Sequence, residues 1–222
     1  NMFAMVKFFN KCEASGIKPI SGTSIRVIFD GDDSSHELLC LAKNNDGHRN
    51  LMQAISSAHN NYTYQTPIIN FKDLKNFKDN IVVVSGGKDS HIFELSKQNK
   101  INEIEKKIDD FLTVFKNDFF IEVQKTNRSD EIDFFSNILP LSNKKGIPLI
   151  ATNDVLFSSK DDYEIHETKV CINTGKTLND PNREKPFSDE QYFKSSDEMQ
   201  KLFNGFDELI DNTNEVAKKC NV

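Results

Sequence analysis

Apolar residues recur along this chain in two rhythms, one helical and one of strand length. Met2, Val6, Phe9 and Cys12 fall at helical spacing, and Gly16 follows as a stop. The run IKPISGTSIRVIFD, from Ile17, reads as one or two strands with a break at Gly22. HELLCLAKN, from His36, is a further apolar run of strand length. Gly47 to Asn61 predicts a helix with Leu51, Ile55 and Ala58 on one face, and INFKDLKNF a short one. NIVVVSGG is a β-branched strand that ends in two glycines.

The alternation then continues. Ile101, Ile104, Ile108, Leu112 and Phe115 mark an amphipathic helix, and FFIEVQ, from Phe119, a strand. SDEIDFFSNILPLSNKKG predicts a helix bent or split at Pro140. IPLIATND is the next strand, and DDYEIHETKVCINTGK a helix as far as Gly175. A loop rich in Asp, Asn and Pro follows. Ser195 and Glu198 form a capping box for the helix EMQKLF, and FDELIDNTNEVAKKC predicts a last helix ending at Cys220.

Strand alternating with helix implies an α/β architecture with parallel strands, wound as a barrel or an open sheet. The pattern supplies five or six strands, whereas a full eight-unit barrel takes ~250 residues. A shorter barrel, or one missing a piece, is therefore expected. The first helical pattern begins abruptly and without a cap, which suggests truncation at the front.

The 222 residues, 37% hydrophobic and 28% charged, are enough for a real core and too apolar for a disordered chain. The net charge of −6 argues against a grip on nucleic-acid backbone by this piece alone. Cys12, Cys40, Cys171 and Cys220 have no CxxC spacing, so a zinc ribbon is not supported and reduced thiols in a cytoplasmic protein are the plain reading. No apolar run reaches membrane-spanning length.

Candidate chemistry is sparse. No GxxxxGK[ST], GxGxxG or GxSxG occurs. Gly86-Gly87-Lys88, between a strand and a helix, is either a tight connection or an anion-binding turn. The histidines His36, His48, His59, His91 and His166 form no HxH or HExxH pair. His48 and His59 lie on a predicted helix, His91 falls near a possible barrel mouth, and His166 on the helix after Asp154. Only His36 and Asp154 fall at strand termini, and a catalytic zinc takes three protein ligands and a water. Asp154 can equally accept hydrogen bonds at its strand end. By themselves these residues also fit an α/β enzyme acting on an unidentified small molecule.

Four segments narrow the choice. GIKPISGTSI, HELLCLAKNNDGHRNLMQAIS, IVVVSGGKDS and the long tail IATNDVLF…HETKVCINTGKTLNDPNREKPF…EVAKKCNV resemble, in order and over the whole chain, the PHP (polymerase and histidinol phosphatase) domain of bacterial replicative polymerase alpha subunits. The resemblance implies a distorted (βα)7 barrel, truncated here before its first strand and HxH motif. It implies a PHP barrel over 1–175 and, over 176–222, a loop and helices leading to the polymerase core.

It also implies where metal ligands would stand. Metal-bearing members place Glu or Asp where this chain has Ser24, Cys or His at Gly87, and His at Leu156; His36 and Asp154 match ligand positions that survive. Three of five positions thus carry no useful ligand. The resemblance accordingly implies a degenerate site with no metal of its own and no catalytic residue. It implies a scaffold for DNA replication that docks the proofreading exonuclease subunit, epsilon, inside a parent DNA-directed DNA polymerase, a Mg2+-dependent nucleotidyltransferase. Residual metal-dependent 3′–5′ exonuclease or phosphoesterase activity is the alternative.

Overall fold

The computed structural model describes residues 2–60 and 66–222. Helix α1 (Met5–Ala14) stops at Gly16, whose φ of 68° gives the left-handed turn that closes it. Two strands follow, β1 (Gly22–Ile28) and β2 (Ser35–Ala42), then α2 (Asn45–Asn60). The helix expected as far as Asn61 is thus present to Asn60, and Asn61 lies outside the described residues. β3 (Ile68–Asn70) leads into the short α3 (Phe71–Leu74), capped by the Asn70 side chain. The β-branched run becomes β4 (Ile81–Val84).

After Gly86 and Gly87 comes α4 (His91–Lys97), capped by Ser90 Oγ on the Phe93 amide at 3.1 Å. The remaining elements are α5 (Ile101–Phe115), β5 (Phe119–Gln124), α6 (Ser129–Lys145), β6 (Leu149–Thr152), α7 (Tyr163–Thr174), α8 (Ser196–Leu202) and α9 (Asp207–Lys219). Pro140 lies at an exposed position inside an unbroken α6, so the expected split does not occur. The Ser195–Glu198 capping box opens α8 as its spacing predicted.

Six strands form one sheet in the order β3-β1-β2-β4-β5-β6. The sheet is not closed on itself, an arrangement compatible with the expected PHP-type α/β barrel. One expectation fails: β2 runs antiparallel to both β1 and β4, whereas the β1–β3, β4–β5 and β5–β6 pairs are parallel. A link of only six residues, Phe29 to Ser34, joins β1 to β2. That is a hairpin connection, and a parallel crossover needs a dozen residues or more.

The two sheet faces are buried unequally. Ile25, Val27, Leu38, Cys40, Ile81, Val83, Phe119, Ile121, Val123, Leu149 and Ala151 face the helices in the main core, which Phe203 and Leu209 of the tail also join. Val82, Val84, Phe120 and Ile150 form a smaller cluster on the other face, covered by Val216 of α9. Lys219 of the same helix stands over the Phe120 ring at 5.1 Å. No helix among the described residues is long and apolar enough to cross a membrane.

Candidate functional site

Strand register decides which side chains can meet. Ser24 lies opposite Leu39, Arg26 opposite Glu37, and Leu39 opposite Val84. Directly paired residues share a face and neighbours along a strand alternate. Ser24, Arg26, Glu37, Leu39 and Val84 therefore stand on the smaller-cluster face, and parallel pairing carries that face on to Phe120, Glu122, Ile150 and Thr152. His36 pairs with Val27 and points the other way, into the helix-packed core.

At the C-terminal ends of β4, β5 and β6 this face gathers a polar set. Its centre is Glu122, 7% exposed. Thr152 Oγ1 donates to Glu122 Oε2 at 3.2 Å, and the Gly87 backbone N–H also hydrogen-bonds the carboxyl. Gln124 Nε2 lies at the hydrogen-bond limit, 3.5 Å from Oε1. Burial raises the pKa of Glu122 to about 7, and the neighbouring carboxylates Glu37 and Asp154 add to the rise against the Thr152 and Gly87 hydrogen bonds. Near neutral pH this group is thus divided between acid and carboxylate.

Gly87 explains how the carboxyl fits. A Cβ at this position would stand 2.8 Å from Glu122 Oε1 and 3.0 Å from Gln124 Nε2, and its φ of +44° is itself unfavourable for other residues. The space that a side chain at 87 would occupy is taken by Glu122.

Asp154 follows β6 by two residues and is held by Gln191, whose Nε2 donates to Oδ2 at 2.7 Å. The surrounding segment is zipped to the tail: Asn153 Nδ2 donates to the Tyr192 carbonyl at 2.7 Å, Leu156 N to the Gln191 carbonyl at 2.8 Å, and Phe157 forms a bridge with Tyr192. Leu156 is 38% exposed, and Ser24 is exposed on β1.

The five positions singled out in the sequence therefore do not assemble into a ligand set. Ser24, Gly87 and Asp154 belong to the smaller-cluster side of the sheet, Leu156 lies on the zipped loop, and His36 is turned to the opposite face. Glu37 is the member of the His36-Glu37 pair that looks toward the strand-end set. Gly87 and Leu156 carry no donor atom, and Asp154 Oδ2 accepts a hydrogen bond from Gln191. Glu122 was not singled out from sequence. Its signal was the lone acid in the otherwise apolar run FFIEV.

The other histidines are dispersed or elsewhere. His48 Nδ1 meets Ser21 Oγ at 2.8 Å, His59 is exposed, and His166 packs edge-on against Phe187 at 4.9 Å. His91 is not at the strand-end set but stacks on His36 in the core-facing layer, with ring centroids 4.1 Å apart. The Gly86-Gly87-Lys88 turn passes so close to β2 that a Cβ at Gly86 would stand 2.2 Å from the Glu37 carbonyl oxygen.

An α/β domain whose polar side chains collect at the ends of parallel strands is the class defined so far. Residues 1–126 match the family model described as PHP domain, and the chain belongs to that family. Over its whole length the chain is similar to DNA polymerase III subunit alpha of Pseudomonas aeruginosa (36% identical over 224 residues), Escherichia coli K12 (35% over 225) and Haemophilus influenzae (33% over 223). Each match covers 100% of this chain and 19% of the relative, so the chain spans about a fifth of the length of these proteins.

Proposed function

We propose that this chain serves DNA replication as the PHP region of a bacterial DNA polymerase III alpha subunit, acting as a scaffold without catalysis of its own. In this reading the parent is a Mg2+-dependent, cytoplasmic DNA-directed DNA polymerase. This region stabilises the parent and docks the proofreading exonuclease subunit, epsilon. The similarity of the whole chain to about a fifth of the length of polymerase alpha subunits supports the replication context.

The observation that carries the scaffold reading is the pairing of Gly87 with Glu122. Metal-dependent phosphoester cleavage needs clustered cations that activate water and neutralise phosphate charge. Here the strand ends offer a half-protonated, hydrogen-bonded carboxyl packed against a glycine, beside an aspartate already held by a glutamine. Carboxyl groups held by neighbouring hydrogen-bond donors in this way serve shape and stability.

The test is a pull-down and calorimetric titration of the exonuclease subunit against the full-length alpha protein and against a form lacking the PHP region. A complex that depends on the PHP region is expected. Undiminished binding without that region would refute docking here.

A further inference from the structure

The strongest unused chemistry lies on the other side of the sheet. Asp32 sits in the β1–β2 hairpin, His36 on β2 and His91 at the start of α4. Each can present one ligand atom such that all three lie within 4.8 Å of one another, the sole such set of three or more among the described residues. Asp32 Oδ2 and His91 Nδ1 face each other at 3.3 Å, both shut off from solvent, and neither has a hydrogen-bond partner. Buried polar atoms are nearly always satisfied, so two such orphans 3.3 Å apart call for a missing occupant.

We propose that Asp32, His36 and His91 form a binding site for a divalent cation of the zinc class, apart from the strand-end set around Glu122. Two imidazoles and one carboxylate make a donor set suited to Zn2+, with a water or a fourth ligand completing the tetrahedron. Glu94, half-exposed on α4 with Oε2 3.4 Å from His36 Nδ1, is placed to be that ligand. Ser34 Oγ meets His36 Nε2 at 3.3 Å and can hold the ring orientation, as outer partners of metal-binding histidines do.

A metal-binding imidazole is neutral, and burial lowers the pKa of both rings. The hairpin and the α4 N-terminus hold the three residues in place without the ion. Phe29 packs on His91 at 5.2 Å and on His36 at 6.4 Å between ring centroids.

A solvent-open cleft of about 520 Å³, lined by Arg26, Ser35, His36, Ser90, Glu94 and Lys97, gives an ion a way in. The two imidazoles now stand nearly parallel, 6° apart. Ligand atoms in a tetrahedral zinc site are roughly 3.4 Å from one another. Binding therefore turns one ring about χ2 and draws the set together.

The experiment is a titration of chelator-treated full-length protein with Zn2+ by calorimetry and with Co2+ by visible absorption. One equivalent of Zn2+ and the intense d–d bands of tetrahedral Co2+ are expected. His36→Gln and His91→Gln should each weaken binding at least ~10-fold, and Asp154→Asn should leave it unchanged. In the wild-type protein Zn2+ should also raise the melting temperature, a readout that needs no variant to fold. Absence of stoichiometric binding, or binding lost in Asp154→Asn and kept in His91→Gln, would overturn the site.

Discussion

The Glu122 carboxyl occupies the space that a side chain at position 87 would need: a Cβ on Gly87 would come within 2.8 Å of Oε1. A ligand at position 87 and a buried Glu122 in its present place are therefore sterically exclusive. Gly87→Cys must displace the carboxyl and accept a φ of +44°. We expect a loss of about 1–3 kcal/mol, read as a lower denaturant midpoint. No metal-dependent hydrolysis is expected from the double variant Gly87→Cys/Leu156→His, because Ser24 is exposed and His36 faces away.

Glu122 makes stability depend on pH in a definite direction. The unfolded chain releases this proton near pH 4.5, and the folded protein holds it to about 7. Its contribution is complete below pH 4.5 and is lost as the pH rises through 7, amounting to roughly 3 kcal/mol. Glu37 from β2 and Asp154 after β6 act on it by repulsion, and Thr152 and Gly87 by hydrogen bonds. His36 and His91 titrate in an overlapping range with the opposite sign. The measurement is therefore the difference between wild type and Glu122→Gln at pH 5 and pH 8, with chelator present. Glu122→Gln should gain relative to wild type as the pH rises; a constant difference would contradict the buried, raised carboxyl.

Gln191 joins the strand-end loop to the tail. Its Nε2 donates to Asp154, and its Oε1 accepts from the Ser188 amide at 2.9 Å. It is 3% exposed. Gln191→Ala leaves both partners unsatisfied in a part-buried setting, at a cost of about 1–3 kcal/mol. Faster amide exchange at Leu156 and Phe193, which bond the same zipper, should accompany the loss.

Arg183 ties the long loop to α7 through an ion pair with Glu167, whose side chain is 2% exposed. Removing the guanidinium strands a buried carboxylate. Arg183→Ala should make the loop after Gly175 the first site of limited proteolysis, while Arg183→Lys should protect it in part. Unchanged cleavage in the alanine variant would contradict this clamp.

Much of the fold was legible in the sequence because apolar spacing encodes helix and strand directly. IVVV and FFIEV are buried on both faces, and the Ile101–Phe115 stripe packs as its periodicity predicted. Strand direction was not legible, since HELLCLA reads the same either way and only the short Phe29–Ser34 link reverses it. The seven-residue α4 was too short to stand out.

The candidate site was less legible still. His36 and Glu37 are adjacent, and one residue of register exchanges the two sheet faces. Motif likeness selected His36, whereas pairing with Arg26 brings Glu37 to the side of Ser24 and Glu122. The stacking of His36 on His91 joins residues 55 positions apart in sequence, which no local pattern announces.

The central claim, that the strand-end set supports structure and does not catalyse, is tested most directly by assaying release of 3′-terminal nucleotides from labelled DNA. The assay uses full-length protein free of the exonuclease subunit, supplied with Mn2+ or Zn2+. The account predicts no release above that of protein held in chelator. Metal-dependent release that Asp154→Asn and Glu122→Gln each abolish, with folding intact, would contradict it.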